Sequence, residues 1–175
     1  METFPRGGLE LGKTLAAAVL LSAALLIMGA CSPSPAGGEP NLFEYEGAEV
    51  GDNSAVVNTV IQLPGAENFS GIELETQEQP YGIIVSYDWA EASLSDKETA
   101  AHNATYLFAL INNVDWVQFD FDTGTSVEQY RLTREQLQAW HGVAMAGIDD
   151  QKKLEELLSE SLGKEQKIEE LFAGA

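Results

Sequence analysis

Cysteine, histidine and basic residues are scarce in this sequence: 175 residues include one cysteine, two histidines and nine lysines and arginines, against 28 aspartates and glutamates. A single cysteine excludes an intramolecular disulfide. With His102 and His141 standing alone, no spaced set of zinc ligands forms either, and a solvated surface position is the expectation for each histidine. The shortage of cations leaves a formal net charge of −19, so nucleic-acid phosphates and anionic lipid headgroups should repel the chain. Phosphate-binding glycine loops and serine nucleophile elbows are missing as well. No metal and no cofactor is expected.

Long apolar runs are limited to one. Residues 14–30 are uncharged, rich in Ala and Leu, and follow Arg6 and Lys13, which is the layout of a secretory signal. The run is slightly short and too Ala-rich for a permanent span. It ends Leu26-Ile27-Met28-Gly29-Ala30-Cys31, which resembles the lipobox of bacterial lipoproteins: Gly29 and Ala30 supply the small residues, and Met28 stands where Leu is usual. An ordinary secretory cleavage would want small residues at both Met28 and Ala30. The resemblance implies removal of residues 1–30, a lipid on Cys31, and a place on the extracytoplasmic face of the cell membrane. Residues 32–40, with three prolines and two glycines, have no apolar period and read as a flexible tether, so 31–41 forms the anchor segment.

The chain beyond the tether is about the size of one domain. Gly51-Asp52-Asn53-Ser54 precedes Val56, Val57, Val60 and Ile61, the pattern of a turn and cap opening a helix that Pro64-Gly65 closes. Ile72, Leu74 and Thr76 alternate with polar residues, and a second strand runs from 81 to 89, with Ile83, Val85, Tyr87 and Trp89 on one face. Ser95 and Glu98 fit a capping box for a helix whose Ala101, Ala104, Leu107, Phe108 and Ile111 share a side. Val117, Phe119 and Phe121 alternate in a third strand, and Thr123-Gly124 turns into a fourth over 126–132. Thr133 and Gln136 fit another capping box, with Leu132 placed to staple onto Leu137. A final helical stretch over 149–172, interrupted at Gly163, carries Leu154, Leu157, Leu158, Ile168, Leu171 and Phe172. The expectation is a two-layer α+β domain over 42–142, ordered helix, hairpin, helix, hairpin, helix, with an antiparallel sheet of about four strands and helices on one face. Residues 143–175 form a C-terminal helical extension.

Two stretches resemble a known family. Asn41-Leu42-Phe43-Glu44-Tyr45 running into Val50-Gly51-Asp52-Asn53-Ser54-Ala55-Val56-Val57-Asn58, and Glu73-Leu74-Glu75-Thr76-Gln77-Glu78-Gln79-Pro80-Tyr81-Gly82-Ile83-Ile84-Val85, are similar to an extracytoplasmic domain of Gram-positive bacteria, domain of unknown function 4825. The likeness covers about residues 42–140. It implies a surface lipoprotein with a role in envelope sensing or protein binding, and it carries no catalytic or ligand residues.

Catalytic and metal-binding chemistry finds little support among the individual residues. Asp115, Asp120 and Asp122 cluster, but no loop wraps them as calcium requires. Asp120 and Asp122 point the same way along one strand, whereas the carboxylates of a glycoside hydrolase face each other across the substrate. Free amides at Gly51 to Ser54 could hold an anion, though Asp52 would repel it. Of the aromatic residues, Tyr87 and Trp89 belong on the core face, and Trp116, on the polar face of its strand, is the candidate for exposed contact. The expectation is a non-enzymatic envelope module that binds a protein or peptide partner, with Trp116, Asp120 and Asp122 as the contact residues. An envelope hydrolase with a carboxylate site and a purely structural envelope component are the alternatives.

Overall fold

The computed structural model describes residues 41–173. The expected signal segment, Cys31 and the tether up to residue 40 lie outside the described residues. Helix α1 (Asn53–Val60) begins where Asp52 Oδ1 accepts the Ala55 N–H at 3.1 Å, so the Gly-Asp-Asn-Ser segment acts as a turn and a cap. Its Val56 and Val60, one turn apart, are buried.

Strands β1 (Phe69–Glu75) and β2 (Gly82–Asp88) form the first expected hairpin, and β3 (Trp116–Asp122) and β4 (Val127–Thr133) form the second. The sheet order is β1-β2-β3-β4. The expected antiparallel sheet needs one correction: β2 and β3 run parallel, from Gly82 opposite Trp116 to Asp88 opposite Asp122, so the sheet is mixed. The cause is helix α2 (Asp96–Leu110), which carries the chain back across one face so that β3 starts at the same end as β2. Two hairpins separated by a helix can join either way, and a local pattern does not choose between them.

Alternation puts Ile83, Val85 and Tyr87 of β2, Val117, Phe119 and Phe121 of β3, and Leu132 of β4 under the helices, all buried. Helix α2 crosses this face. Ser95 Oγ caps it by accepting the Glu98 N–H at 3.3 Å, and Ala100, Ala101 and Ala104 are small enough for close approach to its neighbours. The sequence suggests one apolar side, yet α2 is buried almost all round from Thr99 to Leu110. The sheet covers one side, and α1 with the C-terminal helices covers the rest.

Helix α3 (Arg134–His141) starts with the expected capping box: Thr133 Oγ1 accepts from the Gln136 N–H at 3.2 Å, and Gln136 Oε1 accepts from the Thr133 N–H at 2.8 Å. Helices α4 (Gln151–Leu162) and α5 (Glu165–Phe172) complete the chain, broken at Gly163 as the sequence indicates. They pack onto the domain, burying Leu154, Leu158 and Leu171 in its core. Trp140 Nε1 donates to the Lys167 carbonyl at 2.7 Å, and Lys97 pairs with Glu169 at 2.7 Å. No described helix is long and apolar enough to cross a membrane.

Candidate functional site: the helix-free sheet face

The second face of the sheet carries the outward residues of all four strands. Register and alternation place Glu73 and Glu75 of β1, Ile84, Ser86 and Asp88 of β2, Trp116, Gln118, Asp120 and Asp122 of β3, and Gln129 and Arg131 of β4 on it. Five carboxylates thus share the surface with one guanidinium. Trp116, Asp120 and Asp122 lie in a row along β3, so the three expected contact residues share a face, with Trp116 and Asp122 at opposite ends of the strand.

Their exposure differs from expectation at one position. Trp116 is only 8% exposed. Its ring lies directly on Gly82, the guanidinium of Arg131 sits 3.6 Å from the ring centroid, and Nε1 donates to the Pro80 carbonyl at 3.0 Å. A ring covered by a main chain on one side and a cation on the other offers an edge, not a face, to a partner. Asp120 is half-buried and accepts through Oδ1 from Gln118 Nε2 at 2.9 Å and Gln129 Nε2 at 3.0 Å. Asp122 is exposed and caps the hairpin turn through the Gly124 N–H at 2.8 Å. Asp88 stands beside it in register, so two carboxylates close that end of the face.

Sequence reasoning missed Arg131, Gln118 and Gln129, which fix Trp116 and Asp120. Their alternation with Trp116 is legible along each strand, but the pairing that brings them together is set by register across the sheet. Chemically the face offers carboxylate and amide acceptors on a rigid support, suited to cationic or hydrogen-bonding polypeptide. Among the described residues no group of three histidines, cysteines or carboxylates is placed to hold a metal ion.

The histidines are not solvated as expected. His102 is partly buried, stacked on Tyr106 with centroids 5.1 Å apart, and burial pushes its pKa down. His141 is 9% exposed and lies between α2 and α4. Its Nε2 is 3.0 Å from Thr105 Oγ1 and its Nδ1 is 3.1 Å from Ser161 Oγ. The donors assign the tautomer. Thr105 gives its hydroxyl hydrogen to the Ala101 carbonyl at 2.8 Å, so it accepts from Nε2–H, while Ser161 accepts from Lys167 Nζ at 3.0 Å and donates to Nδ1. Every hydrogen has an acceptor only while the ring is neutral. Burial first, then the nearby Lys167 charge, pull the His141 pKa down from 6.5 to about 4.

This depressed pKa makes stability depend on pH. As pH falls below 6.5 the unfolded chain takes up a proton on His141 that the folded chain refuses, so this contribution is whole above pH 6.5 and is lost as pH falls toward 4. Between pH 7 and pH 5, urea unfolding of the wild type should lose on the order of 1–2 kcal/mol more than that of His141→Gln. The carboxylates titrate in both chains and cancel in the difference. Parallel stability curves for the two chains would show that His141 ionises freely.

A four-stranded mixed sheet with helices on one face, and an acidic second face that no helix covers among the described residues, defines a two-layer α+β domain. Residues 42–133 match the family model described as Domain of unknown function (DUF4825), and the chain belongs to that family. No curated protein and no solved structure matches it significantly. The two stretches that carry the resemblance have structural roles here. Asp52 caps α1, while Tyr81 and Gly82 fix the start of β3: the Tyr81 N–H donates to Asp115 Oδ2 at 2.8 Å, the Tyr81 carbonyl accepts from the Asp115 N–H at 2.9 Å, and Gly82 seats Trp116.

Proposed function

We propose that this protein is an extracytoplasmic lipoprotein, held at the cell membrane by a lipid on Cys31, whose domain binds a protein or peptide of the bacterial envelope without catalysing a reaction. The observation that carries the binding reading is the sheet face without helices, where Glu73, Glu75 and Asp120 lie in the register positions next to the packed Trp116–Arg131 pair and Asp88 and Asp122 stand at the far end. Anchoring is supported by the sequence that ends in Cys31, the chain's sole cysteine. A chain of net charge −19 gains nothing from anionic headgroups, so a lipid is what attachment requires.

The experiment is crosslinking in intact native cells followed by affinity capture and mass spectrometry. It compares the wild type with Cys31→Ala and with the charge-reversed face Glu73→Lys/Asp122→Lys. One envelope protein should be recovered with the wild type and fall at least tenfold with either variant. Equal recovery from Cys31→Ala removes the anchor from the reading. Equal recovery from the charge-reversed chain removes this face.

A further inference from the structure

Strand β4 ends the sheet, and its far edge pairs with no strand among the described residues. The ladder shows which of its main-chain groups face that edge. In an antiparallel pair, hydrogen-bonded and non-bonded couples alternate. Just beyond the β3–β4 pair, the Arg134 N–H donates to the Asp115 carbonyl and the Thr123 N–H to the Ser126 carbonyl, each at 2.9 Å. These couples are in phase with Val117 opposite Leu132, Phe119 opposite Tyr130 and Phe121 opposite Glu128. Leu132, Tyr130 and Glu128 therefore direct their amides and carbonyls at β3, and Val127, Gln129 and Arg131 direct theirs outward. Thr133, the next of the outward set, already gives its N–H to Gln136 Oε1 at 2.8 Å.

Sheet edges in folded proteins are blunted by bulges, proline or shortness. The outer strand β1 has a bulge between Phe69 and Gly71. β4 has neither bulge nor proline and pairs with β3 over all seven residues. Beside it opens a cleft of about 530 Å³, with Gln129, Tyr130 and Arg131 on one wall and Glu169, Glu170 and Phe172 of α5 on the other. That volume lies within the range of peptide and ligand sites. The Tyr130 and Phe172 rings meet edge to face at 5.0 Å, which fixes helix against strand.

We infer that this cleft takes an extended, basic segment of a partner protein as a fifth strand, bonded to the main chain of Gln129 and Arg131 and lying against Phe172 of α5. Strand and helix walls are what such addition uses: the edge binds main chain, and the helix selects side chains. The charges set the chemistry of the guest. Lys97 is paired with Glu169, and Arg131 and Glu170 have no ion-pair partner among the described residues, so the cleft itself is balanced and the charge of the whole chain sets that of the guest. The net charge of −19 attracts a cationic segment and repels a second copy of this chain. This edge is a different surface from the helix-free face, since Arg131 gives its side chain to the one and its main chain to the other.

The test pans a phage-displayed library of random heptapeptides on the full chain in detergent micelles. Synthetic copies of the selected peptides are then measured by calorimetry and hydrogen exchange. Selected peptides should be net positive, and binding should slow exchange of the Gln129 and Arg131 amides at least tenfold while leaving the Glu128 and Tyr130 amides, already bonded to β3, unchanged. Measured against Gln129→Ala, which loses the side-chain bond to Asp120 but keeps the outward N–H, Gln129→Pro also removes that donor without touching the β3 ladder and should weaken binding at least tenfold further. Should that variant fail to fold, the exchange pattern of the wild type decides alone. The inference is overturned by selection no better than with scrambled peptides, or by binding that leaves Gln129 and Arg131 exchange unaltered. It is also overturned if those amides are protected in the chain alone, which would mean that a second copy or the chain itself fills the edge.

Discussion

Arg134→Ala should destabilise the chain by about 3 kcal/mol, and Arg134→Lys should recover less than half of that loss. The guanidinium stands at the C-terminus of α2 and donates to four carbonyls: Phe108 at 2.6 Å, Ile111 at 2.6 Å, Val114 at 2.9 Å and Asn112 at 3.2 Å. Helix C-termini leave carbonyls without partners, and a cation there also meets the negative end of the helix dipole. Burial lowers the pKa of Arg134 and Asp115 partly offsets this, yet a guanidinium remains charged. Truncation leaves acceptors unsatisfied on the α2 to β3 connection, where water can replace only some of the bonds. A lysine has one nitrogen and cannot span the four. Urea unfolding at neutral pH measures both variants, and a loss under about 1 kcal/mol for Arg134→Ala would show that the fork of hydrogen bonds is incidental.

Gly82→Ala should cost about 2–3 kcal/mol, more than a glycine-to-alanine change in a strand ordinarily does. A Cβ at Gly82 would lie 2.0 Å from Trp116 Cε2 and 2.2 Å from Cζ2. The ring cannot yield cheaply, because Nε1 is bonded to Pro80 and Arg131 covers the opposite face. The decisive measurement is a double-mutant cycle. In a Trp116→Leu background the same Gly82→Ala change should be nearly neutral, since the atoms it meets are gone. If the two changes simply add, Gly82 is constrained by its backbone and not by the ring.

Much of the fold is legible locally. The Thr133–Gln136 box and the Ser95 cap mark helix starts through side chains within three residues of the amides they serve. The alternation of Val117, Phe119 and Phe121 marks a strand because the period of two is a property of the strand itself. The break at Gly163 is local too. The features that escaped the sequence are those whose partners are remote or carry no side-chain signature. Trp116 reads as an exposed aromatic until a glycine on the neighbouring strand is placed beneath it. His141 reads as a surface histidine until Thr105 and Ser161 close on its two nitrogens. Arg134 binds main-chain carbonyls, which every residue has, so no motif announces it. The candidate site was half legible: Trp116, Asp120 and Asp122 share a face by alternation, whereas the residues that orient them include Arg131 and Gln129 of β4 and the Gly82 backbone of β2.

The parallel seam between β2 and β3 also dictates an order of assembly. Each hairpin closes over a short stretch of chain, whereas the seam joins positions such as Tyr81 and Asp115, 34 residues apart, with α2 between them. Loop-closure entropy defers contacts of that span, so the hairpins come first and the seam closes late. Until it closes, β2 and β3 each expose an apolar edge on which another chain could pair. Like-charged molecules of net charge −19 hold one another off during that interval. The acidity of the chain is then a safeguard of its folding, in force for as long as the two halves of the sheet stand apart.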